Sequence, residues 1–114
     1  MSGISTHVLD VTKGVAAAGI ALTLERAASA GAWTRIADAR TDADGRVKSL
    51  LPAGTALAAG TYRLSFETGA YWKAAGFDSF HPRVEVTFTI LDPTRHHHVP
   101  LLMSPYGYTT YRGT

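Results

Sequence analysis

Three of the five histidines in this 114-residue chain stand together as His96, His97 and His98, and the stretch that follows carries Tyr106, Tyr108, Tyr111 and an Arg-Gly pair. Imidazole, with an unperturbed pKa of about 6.5, exchanges a proton near neutral pH, so clustered histidines suit general acid–base work. In an extended strand alternate side chains share a face. His96 and His98 therefore project to one side, about 6.5–7 Å apart at the backbone, and His97 to the other. That gap is too wide for a direct bond between the rings and fits a small polar molecule, a water or a metal ion between them. His7, in THVLD, and Arg46, after an Asp-Gly pair, fall at strand ends, where a sandwich gathers its loops. A site built from His7, Arg46 and His98 is thus geometrically open. The blander alternatives are a satisfied half-buried histidine at His7, a surface charge at Arg46 and strand aromatics at Tyr106, Tyr108 and Tyr111.

The elements that would carry these groups are short. Strand-like runs at 4–10, 20–26, 34–39, 61–68, 83–90 and 99–103 alternate with turn signals, the cadence of an all-β sandwich. In 83–90 the period of two is clean: Val84, Val86, Phe88 and Ile90 on one face, Arg83, Glu85, Thr87 and Thr89 on the other. Asp44-Gly45 offers a tight turn between two strand-like runs, with Arg46 starting the second. Gly60 and Pro82 mark strand entries. The Ala-rich segment 69–75, preceded by Thr68 as an N-cap and stopped by Gly76, predicts one helix of about two turns.

The length, without internal repeat or linker, fits a single domain over residues 1–114. No apolar run approaches the roughly 20 residues a bilayer crossing needs, so no membrane partner is expected. Cysteine is absent, which removes disulfides, thiolate catalysis and sulfur-ligated zinc. Eleven Lys and Arg against nine Asp and Glu give a formal charge of +2 with no dense basic stripe, which argues against nucleic acid. The opening MSGISTHVLDV lacks the basic head and apolar middle of a secretory leader, and a cytoplasmic location is expected.

Several motifs together resemble the transthyretin-related 5-hydroxyisourate hydrolases over nearly the whole chain. They are THVLD with His7, Asp44-Gly45-Arg46, GTYRLSFET followed by Tyr71, and H-x-H-V-P-L-L with S-P-x-x-Y-x-T-Y-R-G over residues 96–113. The terminal signature is the most specific, since the hormone-carrying transthyretins of the same fold lack these histidines and the Tyr-Arg-Gly ending. Three positions depart from the pattern: Thr114 where serine is usual, His97 where an aromatic is common, and Ala16 where proline is usual.

The resemblance implies a prealbumin-like sandwich of two four-stranded sheets with one short helix. It also implies a homotetramer, a dimer of dimers, with active sites at a subunit interface. The implied reaction is hydrolysis of 5-hydroxyisourate to 2-oxo-4-hydroxy-4-carboxy-5-ureidoimidazoline by a histidine-activated water attacking a ring amide, with no cofactor and no metal. His7, Arg46 and His98 would be catalytic. Tyr111, Arg112, Gly113 and Thr114 would join them in binding substrate, and His96 would support from behind. Two other readings stay open: a small-ligand carrier without catalysis, and a zinc hydrolase built on His7, His96 and His98, against which the charge of Arg46 weighs.

Overall fold

Alternating burial sorts nine strands into two sheets whose inner faces share one apolar core. The computed structural model describes residues 3–114; Met1 and Ser2, which open both the span expected to be one domain and the stretch expected to lack a leader, lie outside the described residues. In chain order the strands are β1 (Gly3–Asp10), β2 (Val15–Ala16), β3 (Ala21–Ala27), β4 (Trp33–Arg40), β5 (Arg46–Val47), β6 (Gly60–Phe66), β7 (Val84–Ile90), β8 (His96–Ser104) and β9 (Gly107–Thr110), with helix α1 (Thr68–Ala74) between β6 and β7. One sheet runs β4-β3-β6-β7, antiparallel throughout. The other runs β2-β1-β8-β9, and the two-residue β5 shares the β1 edge with β2, bringing that sheet to five strands.

The all-β sandwich and the single short helix agree with expectation, while some local details differ. Asp44-Gly45 does not close a hairpin between neighbouring strands, because β4 ends in one sheet and β5 pairs with β1 in the other. Thr68 is the first helical residue and makes no side-chain cap; its buried hydroxyl has no partner among the described residues. Gly76, with φ of +86°, lies just past the helix, where a left-handed residue terminates it. The tail beyond Ser104 contains a strand, β9, not foreseen as a separate element.

The pairing that matters most for function is β1 with β8. These strands are parallel, register Gly3 with His96, Ser5 with His98 and His7 with Pro100, and join the two ends of the chain. Even-numbered residues of β1 face inward: Ile4 and Val8 are fully buried in the core, while Thr6 donates its hydroxyl to the carbonyl of Val99 at 2.6 Å. Along β8 the inward residues are His97, Val99, Leu101 and Met103. Burial of such an apolar side chain contributes about 1.5–3 kcal/mol, and a strand slipped by one residue would lose the whole set. The core thus fixes the register, and the register puts Ser5, His7, His96 and His98 together on the outer face.

Candidate functional site

Each polar group at the site is launched by a local device. For Arg46 it is the turn before β5: the Asp42 carboxylate accepts the backbone N–H groups of Asp44 and Arg46 at 2.9 and 3.0 Å. The Arg46 bond, foremost among several causes, holds the Asp42 carboxyl below the usual carboxylate range. Gly45 turns with φ of +74° directly over β1, where an added Cβ would lie 2.5 Å from the carbonyl oxygen of Val8. Only glycine fits that approach. The turn thereby delivers Arg46 opposite His7 in the β1–β5 register.

His7 points its Nε2 at the carbonyl oxygen of Asp44, 2.8 Å away. A carbonyl can only accept, so the proton of the neutral ring sits on Nε2 and the lone pair on Nδ1. Across β1, the Ser5 hydroxyl oxygen lies 2.7 Å from Nε2 of His96 and 2.8 Å from Nδ1 of His98. The space that the spacing of His96 and His98 reserves for a small polar group is therefore occupied by a side chain of the protein itself. Ser5 is only 7% exposed.

The tail folds back at this point. Gly113 donates its N–H to the carbonyl of His98 at 2.8 Å and forms an isolated antiparallel bridge with it. A Cβ at Gly113 would come within 2.6 Å of the His98 ring, so glycine is what allows the tail to cross there. The result is a cleft of about 390 Å³ lined by Ser5, Thr6, Arg46, Lys48, His96, His98, Gly113 and Thr114. Burial, followed by the positive charges of Arg46, His7 and His96, holds the His98 pKa below the ordinary histidine value. A neutral imidazole beside an exposed guanidinium pairs a proton acceptor with a fixed cation.

Of the residues singled out from sequence, Arg46, His96, His98, Gly113 and Thr114 line this one cleft. His7 stands beside it, opposite Arg46, and acts electrostatically on His98. Tyr111 and Arg112 line a second hollow, of about 230 Å³, with residues 86–89 of β7, His97 and His98, so His98 borders both hollows. His97 itself is 5% exposed, with its pKa held low by burial first and by Arg112, His96 and Arg95 among the charges, and its Nδ1 lies 3.0 Å from the Arg95 carbonyl. It is a core-side residue, whereas its neighbour His96 is exposed. Sequence reasoning missed Ser5 and Lys48. Lys48 was findable, two residues past Arg46 and so at the same phase of an alternating run; Ser5 carried no signal, because its partners are 91 and 93 residues away. Among the described residues no group of three or more His, Asp or Glu side chains is placed to hold a metal ion, and no helix is long and apolar enough to cross a membrane.

Comparison with known proteins places these features in a wider set. The family model described as HIUase/Transthyretin matches residues 4–113. A mouse protein named 5-hydroxyisourate hydrolase is 46% identical over 114 residues, covering 99% of this chain and 96% of its own. The solved structure of Klebsiella pneumoniae 5-hydroxyisourate hydrolase superposes with a TM-score of 0.85 at 37% identity, covering 99% of this chain and all of the other. Sea bream transthyretin in complex with thyroxine superposes with a TM-score of 0.90, also at 37% identity, over 97% of this chain and 94% of the other.

Proposed function

Because the chain belongs to the HIUase/Transthyretin family, whose fold is common to an enzyme and a hormone carrier, we propose on the chemistry of its cleft that it is a 5-hydroxyisourate hydrolase. The observation that carries this reading is the neutral-leaning His98 beside Arg46 in one open cleft. Superposition alone does not separate the two activities, since the hydrolase and the carrier structures share the same identity to this chain. The curated relatives at about 45% identity, which are named for the hydrolase, favour the enzyme. A carrier of a bulky aromatic ligand would also be served better by an apolar cleft than by one lined with two imidazoles and two cations.

The reaction needs a water made nucleophilic and a place for the charge that develops on the attacked carbonyl. His98 accepts the proton of the water as it adds to a ring amide of 5-hydroxyisourate. Arg46, always cationic and presenting donors in a planar fork, pairs with the growing oxyanion. Lys48 adds a second positive charge to the cleft and helps hold an anionic ring. His7, protonated on Nε2 through Asp44, keeps Nδ1 as a second proton-accepting position next to Arg46. Collapse of the tetrahedral adduct breaks the ring carbon–nitrogen bond, and the proton held by imidazole passes to the leaving nitrogen. The product is 2-oxo-4-hydroxy-4-carboxy-5-ureidoimidazoline, formed without metal or organic cofactor.

Assembly as a homotetramer, with Tyr111 and Arg112 of the tail working at a subunit boundary, completes the reading. It is supported by the outer strands β7 and β9, each paired on one edge only, and by exposed Tyr108 and Tyr111 alongside them. A cytoplasmic location belongs to the same reading. The test is the ultraviolet absorbance of freshly made 5-hydroxyisourate. Decay accelerated by the full chain and lost on deleting residues 111–114 is expected, with a tetrameric mass by light scattering. Unaccelerated decay rejects the enzyme in favour of a binding protein.

A further inference from the structure

The serine between the two histidines has a single proton to give, and that constrains both rings. Its oxygen contacts Nε2 of His96 and Nδ1 of His98 at 2.7 and 2.8 Å. A hydroxyl donates once and accepts from other donors. For both contacts to be hydrogen bonds, at least one ring must donate to the oxygen, because the hydroxyl has one proton and two lone pairs. Three arrangements satisfy this. In the first, His98 donates from Nδ1–H to Ser5 and Ser5 donates to Nε2 of His96, which leaves Nε2 of His98 bare. In the second, every bond reverses and Nε2 of His98 carries a proton. In the third, both rings donate to the oxygen, the hydroxyl proton turns elsewhere, and Nε2 of His98 is again bare.

The charges in the cleft choose between them. Arg46 raises the positive potential at His98, and His7 and His96 add to it when charged; Lys48 lines the same cleft. Nδ1 of His98 is committed to a buried serine, so Nε2 is the nitrogen without a partner among the described residues. A nearby guanidinium favours a lone pair there over an N–H. His96 is exposed, and its ring rests against Gly3, where an added Cβ would lie 3.3 Å from its Nδ1. Its Nε2 is thereby held toward Ser5.

From this geometry we infer that Ser5 is a positioning residue that fixes the tautomer of His98, directing its bare Nε2 to the substrate water. This rests on the hydrolase reading for its catalytic consequence, though not for the tautomer itself. The role matches what a buried carboxylate does for a catalytic histidine elsewhere, with a neutral hydroxyl and a second imidazole replacing the charge.

Two variants and two readouts test the inference on the full chain. Nitrogen-15 chemical shifts of the histidine rings, taken above pH 7 without ligand, are expected to show His98 protonated at Nδ1 in the parent protein and a mixture of tautomers in Ser5→Ala. In the 5-hydroxyisourate assay, Ser5→Ala is expected to lower kcat about 10- to 100-fold, the lower part of what a general base supplies, with KM changed by less than about twofold. Ser5→Thr keeps the hydroxyl on a β-branched frame suited to a strand, and should restore both the tautomer and kcat to within about threefold. A proton on Nε2 of His98 in the parent protein overturns the inference. So does an unaltered kcat in Ser5→Ala, or equal damage in Ser5→Thr and Ser5→Ala with the His98 tautomer the same in all three. If the parent protein leaves 5-hydroxyisourate decay unchanged, the hydrolase reading fails while the ring shifts still decide the role of Ser5.

Discussion

Strand β1 carries a polar cluster at each end, and the two are built on opposite plans. At its far end Asp10 is fully buried, and its carboxylate accepts the backbone N–H groups of Thr12 and Lys13, each at 3.0 Å, and the Tyr71 hydroxyl at 2.8 Å. Burial and then the Asp10 carboxylate push the Tyr71 phenol up to about 12. Each partner there is satisfied by another, so the cluster clamps α1 to β1 and offers nothing to a ligand. At the near end Ser5, His96 and His98 share two bonds and leave ring nitrogens and the Arg46 guanidinium facing an open cleft. A polar group with all its valences filled stabilises; one with a valence left over can react. THVLD contains both kinds, His7 and Asp10, only three positions apart.

The sharpest way to break this comparison is to delete one member from each end and measure both stability and rate. His98→Ala is expected to lower kcat/KM for 5-hydroxyisourate by about 10²–10⁴-fold, the range of a lost general base, with little change in Tm. A comparable loss of Tm would show that the near end is structural too. Asp10→Ala strands three donors in or near the core, and should cost about 2–4 kcal/mol of stability, which for a chain of this size lowers Tm by roughly 10 °C or more. Its folded fraction should keep its kcat; a catalytic defect without unfolding would place Asp10 in the chemistry instead.

Arg46→Lys comes next, with an expected fall in kcat/KM of about 100-fold despite the preserved charge, because an ammonium cannot reproduce the donor fork. Steady-state rates near those of the parent would remove the guanidinium from its role. The smallest effect is in pH. His98 titrates below the ordinary histidine value, so it stays neutral and able to accept a proton at pH values where a free histidine is already charged. The acid limb of kcat/KM should then lie below about 6.5 and move upward in Arg46→Gln, which removes one of the opposing cations. Asp10→Ala should leave that limb in place. The unfolded chain binds this proton more readily than the folded one, so His98 also lowers stability as pH falls from about 6.5 toward its folded pKa. A limb at or above the free-histidine value would contradict the electrostatic picture.

Much of this was legible in the residue order. The period of two in residues 83–90 is β7 with its inward set of Val84, Val86 and Ile90 buried. His96 and His98 do share a face, with His97 turned to the core side. Gly113, which the tail motif marks as a site residue, is where the tail crosses His98. The family itself was evident from local motifs, because each motif preserves short-range geometry: an Asp-Gly turn, a strand alternation, a tail ending.

What the sequence could not supply was partnership across long separations. Side-chain alternation along a strand follows from local backbone geometry, so it told which residues of β8 look outward, but not what meets them there. That depended on β1 and β8 pairing in parallel over a separation of some 90 residues, which brought Ser5 between His96 and His98 and left Lys48 lining their cleft. It depended equally on the turn at Gly45 switching Arg46 from the β4 sheet to the β1 edge, and on the tail crossing His98 before diverging, so that Gly113 and Thr114 enter the cleft while Tyr111 and Arg112 face β7. Residue types and periodicity are local properties and were read directly; proton positions, pKa shifts and the outline of the site arise from through-space neighbours, and only the packed sandwich chose those.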